Sequence, residues 1–212
     1  MNVGTPQASL CLTGLFCSLL LFASPGIPQS NRGAGGMAGQ LPTGVHLDSA
    51  GELINLGNMP QAFAVVPGTN KLVVRLSGWR EQGIQVVDLN TKQVTQSLSQ
   101  GAAFVGLVFS PDGRILYVSG DDSIYGYAWD GSSLSLQRKI HLSEKHPAKL
   151  GTRFPAGLAI SPDGKQLYVA ENVAHSVAVI DLSTSAVVQR LPTDDYPYAV
   201  VASTSGEVYV SA

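Results

Sequence analysis

The sequence predicts an all-β fold assembled from repeated antiparallel sheets, and three observations carry that expectation. A turn-then-strand signature recurs: Ser110-Pro111-Asp112-Gly113 runs into Ile115-Leu116-Tyr117-Val118, and Ser161-Pro162-Asp163-Gly164 runs into Leu167-Tyr168-Val169. A weaker copy, Val66-Pro67-Gly68-Thr69, precedes them, and a degraded one, Ser203-Thr204-Ser205-Gly206, follows. The copies start at 66, 110, 161 and 203, so the steps are 44, 51 and 42 residues, the period of one supersecondary unit repeated side by side. Composition agrees: 23 glycines, 12 prolines and only 13% charged residues suit short strands and tight turns better than long helices.

Each unit contains four apolar or alternating segments. In the first they run from Phe63 to Val65, Leu72 to Arg75, Ile84 to Asp88 and Val94 to Leu98. In the second they are Val105 to Phe109, Ile115 to Ser119, Ile124 to Trp129 and Leu134 to Leu142, with Asp130-Gly131-Ser132 as the last turn. The third has Ala156 to Ile160, Gln166 to Ala170, Ser176 to Asp181 and Ala186 to Leu191, its outer hairpin being Leu182-Ser183-Thr184-Ser185. In the Ser-Pro-Asp-Gly turns, Pro presets the first central φ and Gly takes the left-handed position. Four antiparallel strands per unit is the pattern of a β-propeller blade, whose faces must be covered by radial stacking. The expected blades are 57–100, 101–150 and 151–193 with a partial fourth at 194–212, about three and a half in all. An array open at both ends would leave an apolar face and an edge strand uncovered, so the chain reads as part of a longer one.

Residues 1–25 differ from the rest. Leu10 to Phe22 is apolar apart from Thr13, Gly14 and Ser18, too short to span a bilayer comfortably, and ends at Ala23-Ser24-Pro25-Gly26. The segment reads as a signal peptide, which implies export to a periplasmic or extracellular location. It lacks a Lys or Arg before the apolar run and has the large Leu21 near the cut, so an uncleaved anchor or a misassigned start is the alternative. Cys11 and Cys17 both lie inside it, so a mature chain would have no disulfide, thiolate metal site or cysteine nucleophile. Residues 26–50 read as a flexible linker and an entry strand. A net charge of −2, with no basic stripe, argues against nucleic acid as a partner, and nothing beyond the signal segment points to a membrane.

The repeats resemble the YVTN-type β-propeller family. The residues that carry the resemblance are Leu-Tyr-Val after each Ser-Pro-Asp-Gly, Gln85-Val86-Val87-Asp88-Leu89, Val177-Ala178-Val179-Ile180-Asp181 and Val187-Val188-Gln189. Leu41-Pro42-Thr43-Gly44, the run from Gly78 to Asp88 and Arg153-Phe154-Pro155-Ala156-Gly157 are similar to exported bacterial propellers that often precede an alkaline-phosphatase-like phosphoesterase domain. That resemblance implies a ring of seven blades and a phosphoesterase domain downstream as partner.

Strand parity divides the loops between two ends of the array. The Ser-Pro-Asp-Gly turns and outer hairpins share one end, where Asp112, Asp163, Asp88 and Asp181 read as carboxylates capping their own turns. The other end collects the unusual residues, and ten of them are the candidate binding set: Trp79, Arg80, Glu81, Asp121, Asp122, His146, Arg153, Glu171, Asn172 and Tyr196. Ser143 to Thr152, the insertion that lengthens one period, falls there too, either as a binding loop or as a solvated one. Glu171, Asn172 and the nearby aspartates are hard oxygen donors of the kind calcium accepts, and calcium-dependent lactonase propellers place Glu, Asn and Asp around the channel. A single Glu-Asn pair is present, so the chain is read with no cofactor, calcium being the alternative. Asp121 and Asp122 are adjacent and should point apart. No serine sits in a Gly-x-Ser-x-Gly elbow, and His175 reads as structural. Trp79-Arg80-Glu81 reads either as a self-stacked loop or as a recognition patch. The favoured function is a non-catalytic scaffold that engages a protein domain or small ligand at the channel mouth. The alternatives are the propeller part of a phosphoesterase, an ester-bond hydrolase, or a lactonase-like propeller.

Overall fold

The computed structural model describes residues 39–40, 46–47, 50–79, 81–102, 104–142 and 153–212. The proposed signal peptide, most of the linker and the 143–152 insertion lie outside them. The chain divides into two compact units, Met1–Ala50 and Gly51–Ala212. In the first, β1 (Gly39–Gln40) pairs antiparallel with β2 (His46–Leu47).

The second unit is an up-and-down series of sheets in chain order. Blade 1 is β3 (Pro60–Val65), β4 (Lys71–Ser77), β5 (Gln82–Asp88) and β6 (Gln93–Ser99). Blade 2 is β7 (Leu107–Phe109), β8 (Ile115–Ser119), β9 (Ser123–Trp129) and β10 (Leu134–His141). Blade 3 is β11 (Pro155–Ile160), β12 (Gln166–Glu171), β13 (Ser176–Asp181) and β14 (Ala186–Pro192). A half-blade follows, β15 (Ala199–Ala202) with β16 (Val208–Ser211).

The turns form for the expected reasons. Gly113 N donates to Ser110 O at 2.8 Å and Gly164 N to Ser161 O at 2.8 Å, with the glycines at φ 69 and 71°. A Cβ on Gly113 would lie 3.2 Å from the Pro67 side chain, and one on Gly164 3.4 Å from Pro111. Each turn thus leans on the proline of the preceding blade's turn, so the local motif also sets blade spacing. The sequence did not show the bulges. In every complete blade the third and fourth strands slip register, leaving Thr95, Gln137 and Val188 unmatched. Such bulges increase strand twist, which the outer edge of a blade needs.

Period-two alternation sends neighbouring side chains to opposite blade interfaces. Val73, Ile84 and Val86 of blade 1 meet Leu116, Val118 and Tyr127 of blade 2. Tyr117, Ile124 and Ile140 face the other way, onto Leu158, Leu167 and Ile180 of blade 3. Ala156, Ala170 and Val177 then pack on Val200 of the half-blade. Full burial of one such large aliphatic contributes about 1.5–3 kcal/mol, so the interfaces between blades dominate stability. Near the axis the inner strands touch: Gly157 N donates to Tyr198 O at 2.8 Å, and a Cβ there would sit 2.7 Å from that oxygen. The open end of blade 1 is better covered than expected. Ile54 and Leu56 lie over Val74, Leu76 and Val87, and Gly57 N donates to Gln85 Oε1 at 2.9 Å. Phe63 and Val65 stay exposed beside a groove of about 360 Å3, as do Val201 and Tyr209 on the half-blade.

Candidate functional site

Strand parity is realised in the hydrogen bonds. The β8–β9 loop reaches the next blade connector, because Asp122 Oδ1 accepts Arg153 N at 2.9 Å and Phe154 N at 3.2 Å. The β12–β13 turn does the same twice: Asn172 N donates to Phe154 O at 3.1 Å, and Asn172 Nδ2 donates to Pro197 O at 3.1 Å. At the opposite end the aspartates cap turns. Asp112 Oδ1 accepts Ser110 Oγ at 2.6 Å and Arg114 N at 3.1 Å, and Asp163 repeats this with Ser161 and Lys165. Asp88 and Asp181 each accept two backbone N–H groups of their hairpins. These bonds favour the ionised form and hold all four carboxyls below the ordinary range.

Of the ten candidates, Arg80 and His146 lie outside the described residues. Trp79 is 95% exposed and Glu81 is exposed, both on the first blade. Asp121 and Asp122 diverge as expected. Asp121 Oδ2 pairs with Lys139 Nζ at 3.2 Å, and its Oδ1 accepts the Tyr125 hydroxyl at 3.3 Å, which ties it to the outer strand β10. Asp122 is buried and holds the 153–154 backbone instead.

The structure brings Arg153, Glu171, Asn172 and Tyr196 together. Glu171 ends β12 fully buried, and its carboxylate accepts Ser176 Oγ at 2.7 Å and Arg190 Nε at 3.0 Å. Arg153 Nη1 stands 3.6 Å from the same carboxylate, with 30% of its side chain exposed. Arg190 also donates to Leu142 O, so it spans from β14 to the end of blade 2. Beside this group, His175 Nδ1 lies 3.3 Å from Tyr196 N and 3.4 Å from Asp195 Oδ1. Its ring meets Tyr196 edge-on at 5.1 Å. Phe154 packs edge-on against Phe104 at 4.7 Å, and Phe104 against Tyr198 at 5.6 Å.

Sequence reasoning missed Arg190, Phe104 and Tyr198. Arg190 sits in an outer strand whose polar positions normally face solvent. The two aromatics begin inner strands and read as core. The one available signal was the repeated blade-entry position, read across units rather than along one.

The donor set does not suit calcium. Both oxygens of Glu171 are engaged by Arg190 and Ser176, and the Asp122 oxygen that faces this corner holds two backbone N–H groups. Among the described residues no group of three or more His, Cys, Asp or Glu side chains could hold a metal ion. What the corner offers is two guanidiniums around one carboxylate, with the Asp122 and Asp195 carboxylates beside them and an amide, an imidazole and aromatic rings at the edge.

The family described as "Lactonase, 7-bladed beta-propeller" matches residues 69–212. Two curated relatives, 6-phosphogluconolactonases of Pectobacterium atrosepticum and Pectobacterium carotovorum subsp. carotovorum, are each 26% identical over 147 residues. The match covers 63% of this chain and 44% of theirs, so the chain spans less than half the length of those relatives. Among solved structures, Kuenenia stuttgartiensis hydrazine synthase is similar with a TM-score of 0.55 and 24% identity, over 76% of this chain and 43% of that one. A functionally unknown protein from Desulfotomaculum acetoxidans aligns with a TM-score of 0.62 and 16% identity, over 82% and 54%. At these identities the structural matches speak for the fold alone.

Proposed function

The chain belongs to the lactonase seven-bladed β-propeller family, and from that premise we propose that it forms part of a propeller hydrolase that opens an anionic sugar lactone, with the Arg153 corner in its substrate site. One observation carries the reading: Arg153 and Arg190 converge on the single carboxylate of Glu171. Glu171 takes its close contact from Arg190 at 3.0 Å, while Arg153 stands 3.6 Å away with 30% of its side chain exposed, so part of its guanidinium is open to an anion. Lactone hydrolysis adds water to the ester carbonyl, passes through a tetrahedral oxyanion and releases a hydroxy acid. A preorganised guanidinium stabilises such an anion, or holds a phosphate or carboxylate substituent of the substrate. Glu171 orients Arg153, and His175, whose Nδ1 accepts the Tyr196 N–H with Asp195 close to the same nitrogen, is the group proposed to exchange a proton with water. The names of the relatives support a phosphorylated gluconolactone as the substrate class. The proposed location is outside the cytoplasm, on the strength of the Leu10–Phe22 segment.

The test is proton release from 6-phosphogluconolactone, together with calorimetric binding of glucose 6-phosphate as a stable ring analogue. Arg153→Gln should weaken binding about 10- to 100-fold, the loss of one charge-assisted contact. A chain that neither accelerates hydrolysis nor binds the analogue refutes the reading.

A second reading is a non-catalytic scaffold that docks a protein domain, such as a phosphoesterase domain of an exported protein. It is favoured by the 95% exposure of Trp79 next to exposed Glu81 and by the internal engagement of Asp122 and Glu171. An inert chain that ignores the phosphorylated ring would make it the better account.

A further inference from the structure

We propose that Met59, Phe154 and Tyr196, at the entries of three inner strands, form an apolar collar that receives the C–H face of a ring-shaped, anionic ligand; the inference rests on the lactone reading and deepens it. Met59, Phe154 and Tyr196 occupy equivalent places in blades 1, 3 and 4, and each immediately precedes a proline, Pro60, Pro155 or Pro197. All three are left-handed, at φ 57, 50 and 58°. Blade 2 has Ala103 followed by Phe104 at this place, without the proline, and Ala103 is outside the described residues.

A left-handed backbone is costly for a bulky side chain, and a following proline disfavours helical angles further. Glycine or asparagine would fill the position more cheaply, yet the chain presents Met, Phe and Tyr. The same contact pins the first two: Ser77 N donates to Met59 O at 3.1 Å and Asn172 N to Phe154 O at 3.1 Å. Tyr196 is pinned through its N–H on His175. Backbone strain that surrounding bonds enforce repeatedly calls for a use.

Core packing is only part of the use, since Phe154 lies edge-on against Phe104 and all three side chains remain open to solvent. Met59 is 58% exposed, Phe154 41% and Tyr196 61%. These side chains stand at the loop end of the inner strands, and two border the Arg153 corner. Phe154 follows Arg153 in the chain and is bonded to Asn172, and Tyr196 lies against His175. A wall of aromatic faces and edges beside a guanidinium and an amide suits a polyhydroxylated ring. Its C–H face rests on the aromatics, its hydroxyls meet the amide, and its anionic group meets Arg153.

The experiment uses the 212-residue chain with glucose 6-phosphate and open-chain 6-phosphogluconate as probes, read by saturation-transfer NMR and calorimetry. The wild type should bind the ring more tightly than the open chain, with transfer concentrated on ring C–H protons. Tyr196→Gly and Phe154→Gly should each weaken ring binding about tenfold. Tyr196→Gly should leave the melting temperature unchanged or raise it, because glycine relieves the left-handed backbone. Tyr196→Asn, which keeps the turn, should lose affinity equally. Should the wild type bind and the variants match it while Arg153→Gln fails, the collar is wrong and the lactone reading survives. Should Tyr196→Gly melt several degrees lower while Tyr196→Asn keeps full affinity, Tyr196 is structural and the collar is again wrong. A wild type that binds neither probe overturns both readings.

Discussion

Replacing Glu171 by Gln keeps the shape of the side chain and removes its charge from the centre of the Arg153–Glu171–Arg190 group. The carboxylate accepts from Ser176 at 2.7 Å and Arg190 at 3.0 Å, with Arg153 at 3.6 Å, and none of it reaches water. Breaking a buried ion pair by removing one partner costs about 3–5 kcal/mol. Here the arginine side chains keep 25% and 30% exposure, and Arg190 retains its bond to Leu142 O. Solvent therefore relieves part of the cost, and about 2–3 kcal/mol remains. For a domain of this size that corresponds to a melting temperature lower by about 4–12 °C. The assay is thermal unfolding by circular dichroism at pH 7, repeated in urea to confirm an unchanged m-value. Arg190→Gln and the double variant complete a cycle, in which the double should cost clearly less than the sum of the singles. A melting temperature within 1 °C of wild type, or strict additivity, would refute the claim that this carboxylate organises the corner.

Two further outcomes follow from groups elsewhere in the fold. Arg75 is fully buried between blades 1 and 2 and donates Nη2 to Ser119 O at 2.7 Å, while its Nε and Nη1 have no hydrogen-bond partner among the described residues. Burial brings its pKa down to about 10. Arg75→Met removes two unpaired donors at little change in volume, so its urea stability should stay within about 1 kcal/mol of wild type or exceed it. Arg75→Ala should lose about 2–4 kcal/mol to a cavity, and the reverse order would contradict the packing argument. Asp112 and Asp163 are held below the ordinary carboxyl range, chiefly by the Ser110 and Ser161 hydroxyls and then by backbone N–H groups. Their folded pKa lies below the unfolded value of about 3.9, so their contribution is complete above that pH and is lost as pH falls through the folded value. The melting temperature should therefore drop from about pH 4 to pH 2, and the Asp112→Asn/Asp163→Asn double variant should drop less over the same range.

Most of the blade architecture was legible because it is specified locally. The Ser-Pro-Asp-Gly turns need particular φ values, and strand alternation needs a repeat of two, so both show in a few consecutive residues. The strand limits at Ile115–Ser119 and Ser176–Asp181 coincide with the expectation, Leu107–Phe109 and Leu134–His141 fall short of it by two residues and one, and the other strands of the complete blades extend it by one to three residues at an end. The bulges at Thr95, Gln137 and Val188 were not legible, because an unmatched residue exists only relative to its partner strand. The loop end was identified as the interesting one by parity alone. Yet its acidic residues could not be sorted: Asp122 became a backbone cap, Asp121 a partner of Lys139, and Glu171 the centre of an arginine pair.

The sequence by itself determined that this chain is a series of four-stranded blades, which turns close them and which end carries the irregular residues. Those properties depend on backbone angles and side-chain period, which neighbouring residues set. Only the tertiary structure decided that Arg190 crosses to Leu142 and Glu171, and that Met59, Phe154 and Tyr196 share one strained geometry at the strand entries. Such meetings depend on how far each blade twists and leans on the next, and that is settled by the packed interfaces of side chains more than forty residues apart in the chain, as between Arg75 and Ser119.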